Sequence, residues 1–164
     1  MMVRYRSLAE RVRSELQESE ATLAAIERHW HRYAEASVDQ DAYLNPVTFN
    51  LHSLYTGLER VFDLIAAELD GGALGGERWR AELLRQMTLD LPGARPPVIS
   101  RPTAEQLDDY RRFRHVIRNI YTTNLDPNRV RALVATLPGL WSQVRQDLNA
   151  FVAYLDRIAD SDAV

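Results

Sequence analysis

The twelve residues from Tyr110 to Tyr121 concentrate the groups able to act on a phosphodiester: Arg111, Arg112, Arg114 and Arg118, a single histidine at His115, Asn119, and a tyrosine at each end. A guanidinium bonds phosphate oxygens through two parallel N–H donors. An imidazole beside it can take or return a proton near neutral pH. If the attacking group is a ribose 2′-hydroxyl, this chemistry requires no metal. On a helix turning about 100° per residue, Tyr110, Arg111, Arg114, Arg118 and Tyr121 fall within about a third of the circumference. Phe113, Val116, Ile117 and Ile120 fall on the side that must face a core, and Arg112, His115 and Asn119 form a polar strip between. Arginines and tyrosines sharing one face can hold a nucleic-acid backbone and stack a base. A second account stays open, in which the arginines pair with carboxylates of neighbouring helices such as Glu59, Asp63 or Glu68.

The charge distribution around this segment is uneven. All 20 basic residues of the 164-residue chain are arginine, against 23 acids, for a net charge of −3. Between Arg95 and Arg131 there are eight arginines and only four acids, so the remainder of the chain is acidic. A GC-rich coding background accounts for arginine in place of lysine, but not for this clustering. The absence of lysine excludes a Walker-type phosphate loop and Schiff-base catalysis. The absence of cysteine excludes disulfides, thiolate metal sites and a cysteine nucleophile. His29 and His31, two residues apart, point to different faces of a helix, and His52 has no ligand partner near it in sequence, so neither a metal nor another cofactor is expected. The glycines between Asp70 and Gly76 follow no strand and lack dinucleotide-binding spacing.

These residues must be positioned by helices, because the apolar spacing is helical nearly throughout. One long helix is predicted over 3–36, with Leu8, Val12, Leu16, Leu23, Ile26, Trp30 and Tyr33 along one stripe. A second is expected from Pro46 to Leu69, capped by Asn45, with Phe49, Leu54, Leu58, Phe62, Ile65 and Leu69 buried. A third runs from Glu77 to Leu89. Pro92, Pro96, Pro97 and Pro102 then mark an extended connection of the kind more often functional than idle. Thr103 with Gln106 reads as a capping box opening the arginine-bearing helix to Tyr121. Asp126–Pro127 starts a short helix to Leu137, and Pro138 starts the last. The expected fold is all-α, an up-and-down bundle of five to six helices forming a single domain over 1–164. No run of about 18 apolar residues occurs, so a cytoplasmic protein that does not enter membranes is expected.

The run Arg112–Phe113–Arg114–His115–Val116–Ile117–Arg118–Asn119–Ile120–Tyr121 resembles the active-site helix of HEPN-domain proteins, and more narrowly that of HepT-like ribonuclease toxins from bacterial toxin–antitoxin systems. Supporting runs are Leu54–Tyr55–Thr56–Gly57–Leu58–Glu59–Arg60–Val61–Phe62, Trp79 with Leu83–Leu84–Arg85–Gln86–Met87, and Arg95–Pro96–Pro97–Val98–Ile99. The resemblance implies a family-like core over about 46–158, and a homodimer that joins two motif helices over a composite cleft. It also implies metal-independent RNA cleavage, with tRNA among the candidate substrates. In the family pattern an arginine is followed by a polar residue, then after four to six residues a histidine, then a tyrosine two beyond. Arg114 takes the arginine place, His115 the polar place and Tyr121 the tyrosine place. The histidine place falls on Asn119, which cannot transfer a proton at neutral pH. Two outcomes follow. Either His115 supplies the acid–base function, with Arg114, Arg118 and Asn119 around the phosphate and Tyr110, Arg111 and Arg112 holding RNA, or the protein binds RNA or nucleotide without cutting. The resemblance further implies a minimal nucleotidyltransferase antitoxin as partner, which would transfer AMP to Tyr121.

Overall fold

The computed structural model describes residues 1–119 and 125–162, with the side chains of Arg118 and Asn119 excepted. Five helices are present among the described residues: α1 (Met2–Glu35), α2 (Gln40–Leu69), α3 (Trp79–Met87), α4 (Arg101–Asn119) and α5 (Pro127–Ser161). No strand accompanies them, only an isolated bridge between Leu91 and Arg95. The fold is therefore all-α, a helical bundle as expected. None of the described helices is long and apolar enough to cross a membrane.

α1 and α5 are long because each carries an apolar stripe at helical spacing that the bundle buries, and α1 packs along both α2 and α5, which scarcely touch each other. Leu8, Val12, Leu16 and Ile26 from α1 meet Leu51, Leu58, Phe62 and Ile65 from α2 and Val144, Leu148, Phe151 and Leu155 from α5 in one core. Gly57 lets α1 and α2 approach closely: a Cβ there would lie 1.8 Å from Oε1 of Glu15. Polar clasps tie the outside. Trp141 donates to Glu20 at 2.9 Å, Arg4 pairs with Glu68 at 2.8 Å, and Arg13 pairs with Asp156.

Of the three prolines expected to start helices, Pro127 opens α5 behind its cap Asp126, whereas Pro46 and Pro138 lie inside helices. α2 begins six residues before Pro46, and its N-cap Asp39 takes a left-handed conformation (φ 53°) that reverses the chain after α1. Pro138 interrupts nothing: α5 passes through it. The reason is burial on both sides, since Val130, Leu133 and Leu137 before the proline continue into Leu140, Trp141 and Val144 after it. That packing offsets the missing N–H donor. The expected short helix and final helix are thus a single element. Phe49, expected in the core, is 68 % exposed on α2.

The proline-rich connection before α4 is structural. Arg95 is enclosed within it, and the N–H groups of Val98 and Ile99 donate to the Met87 carbonyl at 2.8 and 3.3 Å, sewing the segment to the end of α3. Ser100, not Thr103, stands before the first turn of α4, and its hydroxyl accepts from the Thr103 N–H at 3.3 Å. Asp147 of α5 closes the junction, accepting from the Ser100 N–H at 2.9 Å and the Thr103 hydroxyl at 2.8 Å. This cluster fixes where α4 starts, and hence which way its arginines point.

Candidate nucleic-acid site

α4 presents a different face to the core from the one its spacing predicts. Thr103, Leu107, Tyr110 and Phe113 are buried, while Val116 and Ile117 are only half-buried. Spacings of three and four along those four residues define the packed stripe, and it passes through Tyr110. The Tyr110 hydroxyl donates to the Leu133 carbonyl of α5 at 2.7 Å and lies 3.1 Å from Thr136 Oγ1. Burial pushes its phenol up to about 12, against a partial offset from the Thr136 hydrogen bond. Tyr110 therefore anchors α4 to α5, which corrects its assignment as an RNA-stacking residue.

Rotating Tyr110 inward turns the polar residues toward α2 and solvent. Arg111 and Arg112 share a single carboxylate on their own helix: Asp108 accepts from Arg111 Nε at 2.6 Å and lies 2.9 Å from Arg112 Nη2. Arg111 is largely covered and Arg112 is 64 % exposed. Arg114 is half-buried against α2, where its Nε donates to Thr56 Oγ1 at 3.4 Å. His115, the next residue, is exposed. Arg114 and His115 each make a further interaction beyond these. The side chains of Arg118 and Asn119 lie outside the described residues, as do Ile120 and Tyr121 entirely.

α2 supplies the opposing wall. Tyr55 and Thr56 approach α4, and Glu59, beside them on α2, turns to α3. Burial, reinforced by the Glu59 carboxylate, raises the Tyr55 phenol well above its ordinary range, and Arg111, Asp108 and Arg114 lie close enough to act on it electrostatically. Glu59 is buried. One of its oxygens accepts from Arg80 Nε of α3 at 3.1 Å, and its other oxygen, Oε2, accepts no hydrogen bond among the described residues. The Arg80 guanidinium also lies 4.2 Å over the Trp79 ring. Two of the three carboxylates considered for the α4 arginines are thus engaged elsewhere, Glu59 with Arg80 and Glu68 with Arg4. Among the described residues, no group of three or more histidine, aspartate or glutamate side chains is arranged to hold a metal ion.

Asp108, Thr56 and the Glu59–Arg80 pair were not singled out as parts of the site. Asp108 had a local signal, an acid three and four residues before two arginines on a helix. Thr56 and Glu59 lie in a run that also resembles the family, but their partners, Arg114 of α4 and Arg80 of α3, are brought to them by tertiary packing. What the wall and the helix achieve together is a half-sheltered guanidinium held beside an exposed imidazole, with further arginines at the edge. That pairing suits a phosphate approached from solvent.

A family model described as HepT-like protein matches residues 47–155, two thirds of the chain, including α4 and the α2 wall. No curated protein and no solved structure matches the chain. With its all-helical bundle and the matched motif helix, the chain belongs to the HepT-like family of HEPN proteins.

Proposed function

We propose that this chain is the toxin of a toxin–antitoxin pair, a cytoplasmic endoribonuclease acting as a homodimer. The single observation that carries the reading is that the HepT-like match spans a helix where Arg114, steadied by Thr56, stands directly beside exposed His115. In this reading His115 removes the proton from a ribose 2′-hydroxyl. The freed 2′-oxygen attacks the adjacent phosphorus, the bond from phosphorus to the 5′-oxygen breaks, the 5′-oxygen takes a proton from water, and a 2′,3′-cyclic phosphate remains. Arg114 meets the charge that develops on the phosphoryl oxygens, with Arg118 and Asn119 one turn further along. Arg111 and Arg112 hold the flanking backbone. A partner nucleotidyltransferase would silence the toxin by placing AMP on Tyr121, setting negative charge among the arginines that RNA needs.

The test is incubation of the purified chain with tRNA in EDTA, wild type beside His115→Ala. Cleavage is expected from the wild type and a loss of at least about 100-fold in the variant. If His115→Ala cuts as fast as wild type, His115 is not the acid–base group. Asn119 at the family's histidine place favours a second reading, an RNA-binding module that does not cut. That reading predicts salt-sensitive tRNA binding, weakened in Arg114→Ala, with no products from any variant.

A further inference from the structure

We propose that the end of the bundle beside the motif helix carries a second RNA-binding element, a strip for single-stranded RNA that runs from α4 across the start of α5 to the last turns of α1. The proposal rests on the ribonuclease or RNA-binding reading above and extends it to residues outside the matched segment. Arg129 and Arg131 flank Val130, which is fully buried, so the two arginines leave the first turn of α5 on opposite sides. Arg129 reaches toward α4, its guanidinium 5.7 Å from the Phe113 ring, and Phe113 immediately precedes Arg114. Arg131 reaches toward α1, its guanidinium 5.5 Å from the Trp30 ring. Both arginines are exposed, and neither is ion-paired among the described residues.

Trp30 and Tyr33 give the far end of the strip its chemistry. Their rings lie 5.0 Å apart and 30° from parallel, and both are only half-buried at the end of α1. A half-exposed aromatic pair with a guanidinium above it offers a π-face for a base and a cation for the next phosphate, the recurring combination of single-strand binding sites. A carboxylate-bearing peptide would find the cations but no use for the flat aromatic surface. A duplex hides its bases from such a platform. Arg114 at one end and Trp30 at the other thus predict a strand that passes the cleavage site and continues over α5 onto α1. This makes α1, which lies outside the matched segment 47–155, a contributor to substrate length and strandedness.

The experiment uses the full chain and 2′-O-methyl oligoribonucleotides, which lack the attacking hydroxyl and stay intact. Probes of about 5 and about 20 nucleotides, with a duplex of the longer one, are titrated by fluorescence anisotropy across a range of salt. Arg131→Glu is expected to weaken the long single strand about tenfold, with the loss confined to that probe. The double substitution with Arg129→Glu lowers the salt slope by about 1.4. Tryptophan emission should be quenched by the long probe in wild type and much less in Trp30→Phe, a variant that keeps a ring in place. Equal affinity of wild type and Arg131→Glu for the long strand overturns the strip, as does tighter binding of the duplex than of the single strand. If wild type binds no RNA of any length, the RNA reading fails and the strip with it. If wild type binds and Arg114→Ala abolishes tRNA cleavage while the strip variants bind normally, only the strip is wrong.

Discussion

Arg95 and Arg114 lie 19 residues apart in the same arginine-rich window, yet the fold treats them in opposite ways. Arg95 is fully buried. It pairs with Asp70 through two bonds of 2.6 Å and donates three more, to the carbonyls of Gln86, Leu89 and Pro96. Arg114 lies half-open against α2, bonded to the Thr56 hydroxyl and next to a solvent-facing histidine. A cluster of arginines in sequence is therefore not a patch on a surface. Each guanidinium takes its role from the partner that tertiary packing brings to it. Arg95 spends its donors on closing the α2–α3–loop junction, Arg111 and Arg112 share Asp108, and Arg114 sits at the edge of the sheltered wall.

The largest effect expected from this contrast is at the closed centre. Arg95→Ala leaves Asp70 buried without its cation, and should cost about 3–5 kcal/mol in denaturant unfolding. Arg95→Lys should recover only part of this, because an ammonium has three donors where the native group uses five hydrogen bonds. Should Arg95→Ala unfold at the wild-type midpoint, the centre does not hold the junction and the contrast fails.

The next effect belongs to the open centre and to activity. Arg114→Ala should lower tRNA cleavage by about 10²–10³-fold, the usual effect of removing one donor from a developing oxyanion. Its melting temperature should fall much less than that of Arg95→Ala, since Arg114 is only half-buried where Arg95 is fully enclosed. A melting temperature that falls as far as that of Arg95→Ala would mean that Arg114 is another structural arginine.

Much of this architecture is legible without coordinates. The helical stretches follow from apolar spacing, although α5 reads as two helices divided at Pro138, and the motif helix is visible in its residues. What escapes local reading is whatever depends on distant partners. Pro46 and Pro138 are start signals by local rules, but buried stripes running through both positions overrule them. Tyr110 shares a helical face with Arg114 to within the tolerance of a wheel diagram. Only α5, with a carbonyl placed for its hydroxyl, decides that it turns inward. Arg95 adds to the local charge count, while Asp70, which neutralises it, lies 25 residues earlier at the end of another helix.

Tyr110 offers a smaller and sharper probe of that division. Tyr110→Phe keeps the ring in the core and removes the hydroxyl's contacts with the Leu133 carbonyl and Thr136, so a loss of about 1–2 kcal/mol in stability is expected. RNA affinity should not change, measured by anisotropy with the same oligoribonucleotides. A loss of affinity without a loss of stability would return Tyr110 to the binding face.

The smallest expected effect lies on the side of α2 that faces α1, where Glu15 covers Gly57. Burial raises the Glu15 carboxyl above its ordinary value of 4.5, an effect that Arg60, 3.9 Å away, only partly offsets. A carboxyl raised in the folded state binds its proton more readily there than in the unfolded chain. Its contribution is therefore most favourable below pH 4.5, and that advantage is lost as pH rises through the folded value. At neutral pH the ionised group is a small liability. Glu15→Gln keeps the shape over Gly57 and removes the titration, so it should melt roughly 1 °C higher than wild type at pH 7. The difference should vanish in acid. A variant that melts lower at pH 7 would show that the Arg60 attraction outweighs burial. The α1–α2 contact would then be an ion-paired seam, closer in kind to the Arg95 centre than to a packed apolar face.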